Sequence, residues 1–317
     1  MRANLRLASP CLRLRALAGK AILLIVFAAS PGCFRQIALG SAADAVSGSG
    51  GAYGRDDDPE LVRSAVPFGL KTMEGLAQEL PEHVGLRTGL ARGFTQYAYA
   101  FVQADADEAE AKDAPRAKAL RARATRLYLR ARDYGLEGLR LRGVEAAQLR
   151  GKPEERAQAL ARAEKGDVEL LYWTFAPWAA AVALNKNDMA LVGDLGALAA
   201  LLDRALGLDE AHDRGALHEV SLSFDSARTG GTTRDRQRAH FERALQLSGG
   251  LRQSLFVSWA ENVLVPAQDK AGFEKLLKDV LAFDLDKPGA RDLRLANVLA
   301  RRRAAFLLER VSDLFLD

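Results

Sequence analysis

The stretch LLDRALGLD, residues 201–209, decides the fold, because its pattern recurs along the chain. The segments in the same frame are LYLRARDYG (127–135), HFERALQLS (240–248) and LLKDVLAFD (276–284). From the first to the last of the four, the spacings are 74, 39 and 36 residues, and 74 is two units of 37. A repeat of this length, closed by a small residue and a leucine, predicts stacked helical hairpins of the tetratricopeptide kind.

The sequence around these segments is rich in helix formers. After Pro59, alanine, leucine, arginine and glutamate dominate, and apolar residues recur at helical spacing, as in Leu191, Leu195, Leu198 and Leu202. No window alternates with period two for long enough to predict a strand. We therefore predict an all-α fold, a tetratricopeptide-like helical-hairpin solenoid with degenerate repeats. The alternative is an α-helical bundle whose helices merely share composition.

The N-terminus has the features of an export signal. Five basic residues and no acidic residue precede AILLIVFAASPGC, residues 21–33. The apolar run is shorter than the roughly 20 residues that cross a bilayer, but a basic start, a short apolar run and small residues form a signal peptide. The segment resembles a bacterial lipoprotein signal, in which Cys33 is acylated. The alternatives are an ordinary signal peptide or an uncleaved anchor with an incidental cysteine.

The chain divides into three predicted parts. Residues 1–32 are the lipoprotein signal peptide, residues 33–58 are the lipidated cysteine and a flexible tether, and residues 59–317 are a single α-helical domain. Glycine and serine dominate the tether, which includes AADAVSGSGGAYGRDDD at residues 42–58. We expect a protein held in the periplasm by its lipid. Phe34 follows the cysteine in place of an aspartate, which slightly favours the outer membrane.

The basic character of the whole chain comes from the leader. The chain has 45 basic and 41 acidic residues, and without the five basic residues of the leader 40 remain against 41. A nearly neutral protein lacks the electrostatic footprint of nucleic-acid binding, so no nucleic-acid partner is predicted. Cys11 lies in the leader, which leaves Cys33 as the one cysteine of the processed chain and allows no internal disulfide.

The sequence carries no recognisable catalytic or metal-binding motif. None of the four histidines pairs with cysteine or another histidine at metal-ligand spacing, and no H-E-x-x-H, G-x-S-x-G or P-loop motif occurs. We predict a protein that is not an enzyme, with no catalytic residues, no metal and no cofactor. A site assembled from distant residues is the alternative.

Two aromatic clusters stand out in a chain that has few aromatic residues. GFTQYAYAFVQ at residues 93–103 and LLYWTFAPWAAAV at residues 170–182 hold four aromatics each. Gln96 and Tyr99 share one helical line, and Tyr172 and Trp173 point away from the apolar stripe of their helix. These positions fit the wall of a cavity. The alternative is a helical core with polar ring atoms at its rim.

Six segments resemble the TatT-like T component of TRAP transporters, a family of periplasmic tetratricopeptide-like lipoproteins. They are RGFTQYAYAFVQ (92–103), RATRLYLRARDYGLEGL (123–139), LLYWTFAPWAAAVALNKND (170–188), HFERALQLSGG (240–250), SLFVSWAENVLVPAQDKAGFEKLL (254–277) and RLANVLARRRAAFLLERVSDLF (294–315). They are distributed over residues 85–315 in the right order.

The resemblance implies a function. A T component docks the solute-binding P component of a TRAP transporter and passes a small hydrophobic or amphipathic ligand through an apolar-lined opening. Cys33 matches the lipid-attachment position. The implied cavity-lining residues are Gln96, Tyr97, Tyr99, Tyr172, Trp173, His218, Trp259, Glu261 and Asn262. The alternative is a scaffold lipoprotein of an envelope-assembly or secretion complex that holds no small ligand, and a homo-oligomer is left open.

Overall fold

The computed structural model describes Ala43, residues 51–225 and residues 232–316. Every regular element in these ranges is helical, which confirms the predicted all-α fold. The predicted signal peptide, Cys33 and most of the predicted tether lie outside the described residues. Residues 51–57 of that tether include a short helix and contact the end of the domain.

The helices in chain order are α1 (Gly51–Gly54), α2 (Pro59–Glu79), α3 (Val84–Tyr97), α4 (Ala104–Ala109), α5 (Ala114–Leu141), α6 (Ala146–Arg150), α7 (Pro153–Leu160), α8 (Val168–Leu184), α9 (Met189–Val192), α10 (Leu195–Asp209), α11 (Ala216–Phe224), α12 (Arg234–Ser248), α13 (Gln253–Trp259), α14 (Lys270–Ala282), α15 (Arg294–Glu309) and α16 (Val311–Leu314). Two further segments are π-helical: Ala98–Gln103 follows α3, and Ala260–Leu264 follows α13. Short 3₁₀ turns precede α8, α11 and α15.

Local signals in the sequence set the ends of these helices. The carboxylate of Asp58 accepts hydrogen bonds of 3.0 Å from the backbone N–H groups of Glu60 and Leu61, at the start of α2. Pro59 occupies the first helical position, where no N–H is needed. Gly249 ends α12 with a φ of 59°, a left-handed conformation that suits glycine. Such residues supply or replace the hydrogen bonds that helix ends lack.

One long, continuous helical segment lies near the start of the domain. α3, the first π segment and α4 follow one another without a break from residue 84 to residue 109. α5, which is 28 residues long, packs along all three and also against α8. Gly135 lets α5 and α8 approach closely, because a Cβ at this position would lie 2.5 Å from the Oγ1 of Thr174.

The largest apolar core lies between α8 and α10. Trp178 is fully buried there, and its Nε1 donates a hydrogen bond of 3.0 Å to Oδ2 of Asp194. The guanidinium of Arg150 lies 5.1 Å from the centroid of the indole ring. The ring of Phe175 packs edge-on against Phe224, with centroids 5.0 Å apart, so this core continues to α11.

A second core holds the C-terminal helices together. α13, the second π segment, α14 and α15 surround a cluster whose buried members include Val257, Phe273, Leu277, Ala304 and Leu307. A smaller cluster joins α11, α12 and α13 through Leu222, Ala244 and Leu255. Among the described residues, neither cluster contains an apolar side chain from α1 to α5.

The last long helix reaches back to the beginning of the domain. α15 contacts α1 and α2. Arg294 pairs with Asp57 at 2.9 Å. Arg302 pairs with Glu60 at 3.4 Å and with Glu108 at 2.9 Å. The two ends of the described chain are therefore in contact through ion pairs. We call the ion pairs of α15 with the first helices, such as these of Arg294 and Arg302, the ionic joint.

The repeated segments correspond closely to helix ends. LLDRALGLD and HFERALQLS stop where α10 and α12 stop, and LLKDVLAFD stops two residues beyond α14. LYLRARDYG lies inside α5, which continues for six residues beyond it. Three of the four segments thus close a helix. The tetratricopeptide-like stacking of the hairpins stays a prediction.

Trp178→Ala is expected to lower the free energy of unfolding by about 3–5 kcal/mol, because it empties the main core and removes a hydrogen-bond donor from Asp194. Urea denaturation followed by circular dichroism measures the loss. Met189→Ala is the control, since Met189 is 75% exposed and its truncation should change stability by less than about 0.5 kcal/mol. Equal urea concentrations at the unfolding midpoint of the two variants would contradict this assignment of the core.

Candidate functional site

Tyr99 lies in the first π segment. Its side chain is 61% exposed. Even so, the surrounding protein desolvates the phenol, which raises its pKa to about 12, and the charge of Glu261 adds to this shift. The phenol is therefore accessible to water although protein surrounds it.

Tyr172 of α8 has aromatic neighbours on two sides. Its ring packs against that of Trp173, with centroids 4.7 Å apart, and lies 5.8 Å from the ring of His212. Burial raises the pKa of Tyr172 well above its ordinary value, and the charge of Glu219 is the next cause. Glu219 also raises the pKa of Tyr99, so the charge of this carboxylate acts on both tyrosines.

Glu219 of α11 interacts with Arg252, which immediately precedes α13. Nη1 of Arg252 lies 3.6 Å from Oε2 of Glu219, and Nη2 lies 2.8 Å from Oδ2 of Asp213. Both side chains of the first pair are largely buried. Burial raises the pKa of Glu219, while Arg252 and the hydroxyls of Ser254 and Ser258 oppose the shift. The neighbours of this carboxylate therefore compensate its burial only in part.

Arg303 of α15 connects the second π segment with α4. Its Nη2 donates a hydrogen bond of 2.6 Å to Oε1 of Glu261, and its Nη1 donates one of 2.9 Å to Oδ2 of Asp107. Burial alone would lower the pKa of Arg303, but Glu261, Asp107 and Tyr99 together outweigh burial and the pKa is raised. The guanidinium of Arg303 thus bonds to Glu261 of the second π segment and also lowers the pKa of Tyr99 in the first. π segments occur often at functional sites.

We use the name inner cleft for the group formed by Tyr99, Tyr172, Glu219, Arg252 and Arg303, in which the charged side chains act on the pKa values of the two phenols. These residues come from the first π segment, from α8, α11 and α15, and from the residue before α13. Helices from both halves of the chain therefore supply the group. It combines aromatic rings, phenol hydroxyls and two arginines that pair with carboxylates.

The other residues predicted from the first aromatic cluster have different surroundings. Gln96 is exposed one helical turn before Tyr99. Tyr97 is partly buried, its ring lies 5.7 Å from that of Phe101, and the guanidinium of Arg123 lies 5.9 Å from its centroid. Tyr97 also packs against two apolar clusters beside α5. The structure thus separates Tyr97 from its neighbour Tyr99.

The three residues predicted around the second π segment also have different surroundings. Glu261 bonds to Arg303 at the inner cleft. Trp259 packs on Phe241 of α12, with ring centroids 4.7 Å apart, and belongs to the C-terminal cores. The Nδ2 of Asn262 donates to the carbonyl oxygen of Ser258 at 2.9 Å, which is a bond within its own helical segment.

His218 lies in a separate polar cluster between α11 and α12. Its Nδ1 is 2.8 Å from Nδ1 of His240, and its Nε2 is 3.2 Å from Oε2 of Glu210. Arg243 pairs with the same Glu210, and Nε2 of His240 lies 3.4 Å from Asp225. Two facing Nδ1 atoms share a single proton, so the pair requires one ring to accept while the other donates.

Sequence reasoning does not single out Glu219, Arg252 or Arg303. Glu219 is the neighbour of His218, but one position along a helix turns a side chain by about 100° and places the two on different faces. Arg303 belongs to the run Arg301–Arg303, for which the simplest interpretation is a solvated face of α15. The signal that the sequence offers for Arg303 is its position as a basic residue at the edge of an apolar helical stripe.

Metal ligation and membrane spanning find no support in the described part of the chain. No group of three or more histidine, cysteine, aspartate or glutamate side chains there is arranged to hold a metal ion. Within the same residues, no helix combines the length and apolar character needed to cross a bilayer.

The described residues thus form an all-α protein in which aromatic rings and ion pairs lie close to one another. Residues 55–315 match the family model for the TRAP transporter T-component. An uncharacterized protein of Treponema pallidum (strain Nichols) is 30% identical over 274 residues, which span 84% of this chain and 83% of that protein. The chain belongs to the TRAP transporter T-component family. It therefore has an accessory role in TRAP transport, which indicates a location in the cell envelope.

The stability of the protein is expected to fall as the pH drops from about 7 to about 5.5. Burial lowers the pKa of His218, although Glu210 opposes this. The native state therefore keeps His218 neutral at a pH where an unfolded histidine, with a pKa of about 6.5, binds a proton. Because the unfolded state binds more protons, the free energy of unfolding decreases toward acid, by at most about 1.4 kcal/mol per pH unit for one group.

His218→Gln should flatten this pH dependence, measured by urea denaturation at several pH values. His83→Asn is the matched control, since His83 caps α3 through its Nδ1 and asparagine is also a good cap. The control should keep the slope of the parent protein. If the free energy of unfolding of the His218 variant changes with pH as steeply as that of the parent protein, other groups cause the pH dependence.

Proposed function

We propose that this protein is the periplasmic, lipid-anchored T component that docks the solute-binding P component of a TRAP transporter and holds a small hydrophobic or amphipathic ligand in the inner cleft. The family supports the transport role. The observation that supports the ligand proposal is that the charge of Glu219 acts on both Tyr99 and Tyr172, although segments far apart in the sequence supply these tyrosines.

The chemistry of the inner cleft suits holding a ligand. Aromatic rings contribute large contact areas at low cost in conformational entropy. Neither the hydroxyl of Tyr99 nor that of Tyr172 has a hydrogen-bond partner among the residues that the structure describes. A bound molecule with a polar group would meet these hydroxyls, and its apolar part would meet the rings of Tyr172 and Trp173.

Lipidation at Cys33 would support the same function. A tether confines the protein to the membrane surface, which raises its effective concentration near a membrane permease. An anchor with more than one acyl chain holds stably where a single chain is marginal. A scaffold role in an envelope complex, without a small ligand, is the competing function, and ligand extraction combined with a docking assay separates the two.

The ligand proposal is tested by purifying the full-length protein gently and analysing organic extracts by mass spectrometry. We expect a co-purifying small amphipathic molecule, and we expect Tyr99→Ala and Trp173→Ala each to reduce its occupancy about tenfold, the effect of losing roughly 1.4 kcal/mol of contact. Phe68→Ala is the control, because this aromatic side chain of α2 is 80% exposed. Equal losses in the control would show that the cleft does not hold the molecule.

Docking is tested by size-exclusion chromatography with the P component of the same transporter. If Tyr99→Ala still co-elutes with the P component, docking does not depend on the side chain that is tested for ligand binding. A complex with partners of envelope assembly, together with an empty cleft and no complex with the P component, would replace this proposal with the scaffold function.

Cys33→Ser is expected to move the protein from the membrane fraction to the periplasmic fraction and to abolish metabolic labelling with a radioactive fatty acid. The reason is that the serine hydroxyl does not accept the lipid that the thiol accepts. Cys11→Ser is the matched control and should remain membrane-bound and labelled. A labelled or membrane-bound Cys33 variant would point to an uncleaved N-terminal anchor instead.

A further inference from the structure

The helix α5 concentrates positive charge in a chain that is otherwise nearly neutral. Its 28 residues include eight basic and two acidic side chains. Seven of the basic residues lie between Ala114 and Arg132, and this stretch contains no acidic residue. An unbalanced run of this kind on a folded helix produces a local positive potential at the protein surface.

Four of these arginines share the outer face of α5. At 100° per residue, Arg116, Arg123, Arg126 and Arg130 lie within a quarter of the helix circumference, opposite buried positions such as Tyr128. All four side chains are exposed, and they follow one another over about 21 Å of helix. We call these four residues the basic face of α5.

Most of the basic face lacks carboxylate partners within the protein. Arg130 pairs with Glu74 of α2. Arg123 has only the ring of Tyr97, whose centroid lies 5.9 Å from its guanidinium. The side chains of Arg116 and Arg126 make no hydrogen bond or ion pair with any residue that the structure describes. Three of the four guanidiniums are therefore available to carboxylates from outside.

A groove of about 380 Å³ lies along the same face, and its position is fixed by neighbouring helices. The phenol of Tyr134 donates a hydrogen bond of 2.7 Å to Oε1 of Glu74, and Oε2 of Glu137 lies 3.1 Å from Nε of Arg87. Tyrosine and arginine are enriched at the centres of protein interfaces. The residues of α5 that line the groove are Arg126, Leu129, Arg130, Asp133, Tyr134 and Glu137.

The charges in the groove favour a protein partner over an anionic membrane. A bilayer of acidic lipids presents a uniform negative surface, which Asp133 and Glu137 would repel, since they are 58% and 48% exposed. A protein surface can instead place carboxylates only where the arginines lie. Each guanidinium can form two parallel hydrogen bonds with one such carboxylate.

We propose that the basic face of α5 and its groove form the surface on which the P component docks, through an acidic patch of that partner. The proposal rests on the function proposed above, which includes docking but assigns no surface to it. Carboxylates of the partner would bind Arg116, Arg123 and Arg126. An apolar or aromatic side chain of the partner would enter the groove beside Leu129 and Tyr134.

The test measures how fast the full-length protein, held in phosphatidylcholine nanodiscs, associates with the P component of the same transporter. Biolayer interferometry at about 50 and about 300 mM salt gives the association rate constant. We expect this constant to fall about tenfold at the higher salt, because ions screen the attraction between opposite charges. Arg116→Glu/Arg126→Glu should lower it about tenfold at low salt and should flatten its salt dependence.

Two variants control for charge and for structure. Arg116→Lys/Arg126→Lys keeps both charges and should retain the salt dependence of the parent protein. Arg238→Glu reverses an exposed arginine of α12 and should behave like the parent protein. Circular dichroism and the urea midpoint report folding, which the reversal on α5 should not change, since neither arginine has a side-chain partner among the described residues.

The outcomes separate this surface from the docking function itself. If the double reversal associates as fast as the parent protein and with the same salt dependence, docking uses another surface and the present assignment is wrong, while docking stands. An equal loss in Arg238→Glu overturns the assignment as well, because only net charge would then matter. If the parent protein does not bind the P component, the docking function fails, and this surface loses its partner with it.

Two further measurements identify other occupants. Cys33→Ser protein that sediments with phosphatidylglycerol vesicles, and no longer does so after the double reversal, would replace the protein partner with an anionic membrane. A parent protein that elutes as an oligomer and becomes monomeric after the double reversal would replace it with a second copy of this chain.

Discussion

The ionic joint between α15 and the first helices connects the two ends of the described chain. Apolar clusters hold together the helices within each half of the described chain, but the two ends meet through pairs such as Arg302 with Glu60 and Glu108. A single exposed ion pair contributes less than about 1 kcal/mol. Arg302 and Arg303 are partly buried, however, and each bridges more than one carboxylate, so the joint is a network.

The two π segments give neighbouring residues different surroundings. A π turn adds one residue to a helix, and one residue corresponds to about 100° of rotation. Tyr99 and Glu261 lie inside these segments and interact with Arg303, whereas Tyr97 and Trp259, just before each segment, pack into apolar clusters. A regular helical wheel drawn through either stretch assigns faces that the real backbone does not keep.

Sequence reasoning succeeded where local chemistry decides the structure. Composition and helical periodicity predicted an all-α fold, and three of the four repeated segments end at or just beyond a helix end. Arg130, Arg204 and Arg243 occupy the fourth position of three of these segments, and each bonds to a residue earlier in the chain. Glu219 and Arg303 could not be predicted in the same way. They are 84 residues apart, yet both act on the pKa of Tyr99. No local pattern distinguishes a charge that faces an interior from one that faces solvent.

Arg303 belongs to the joint and to the inner cleft at once, and this couples the two. Its bond to Asp107 crosses the joint to α4, while its bonds to Glu261 stay within the C-terminal helices. The same guanidinium lowers the pKa of Tyr99, against the carboxylates that raise it. A partner that drew α15 away from α4 would leave Arg303 with Glu261 alone and would change the field at Tyr99 without contacting Tyr99 itself. Docking and ligand affinity would then be linked through one side chain, and by thermodynamic reciprocity the ligand would bias docking to the same extent.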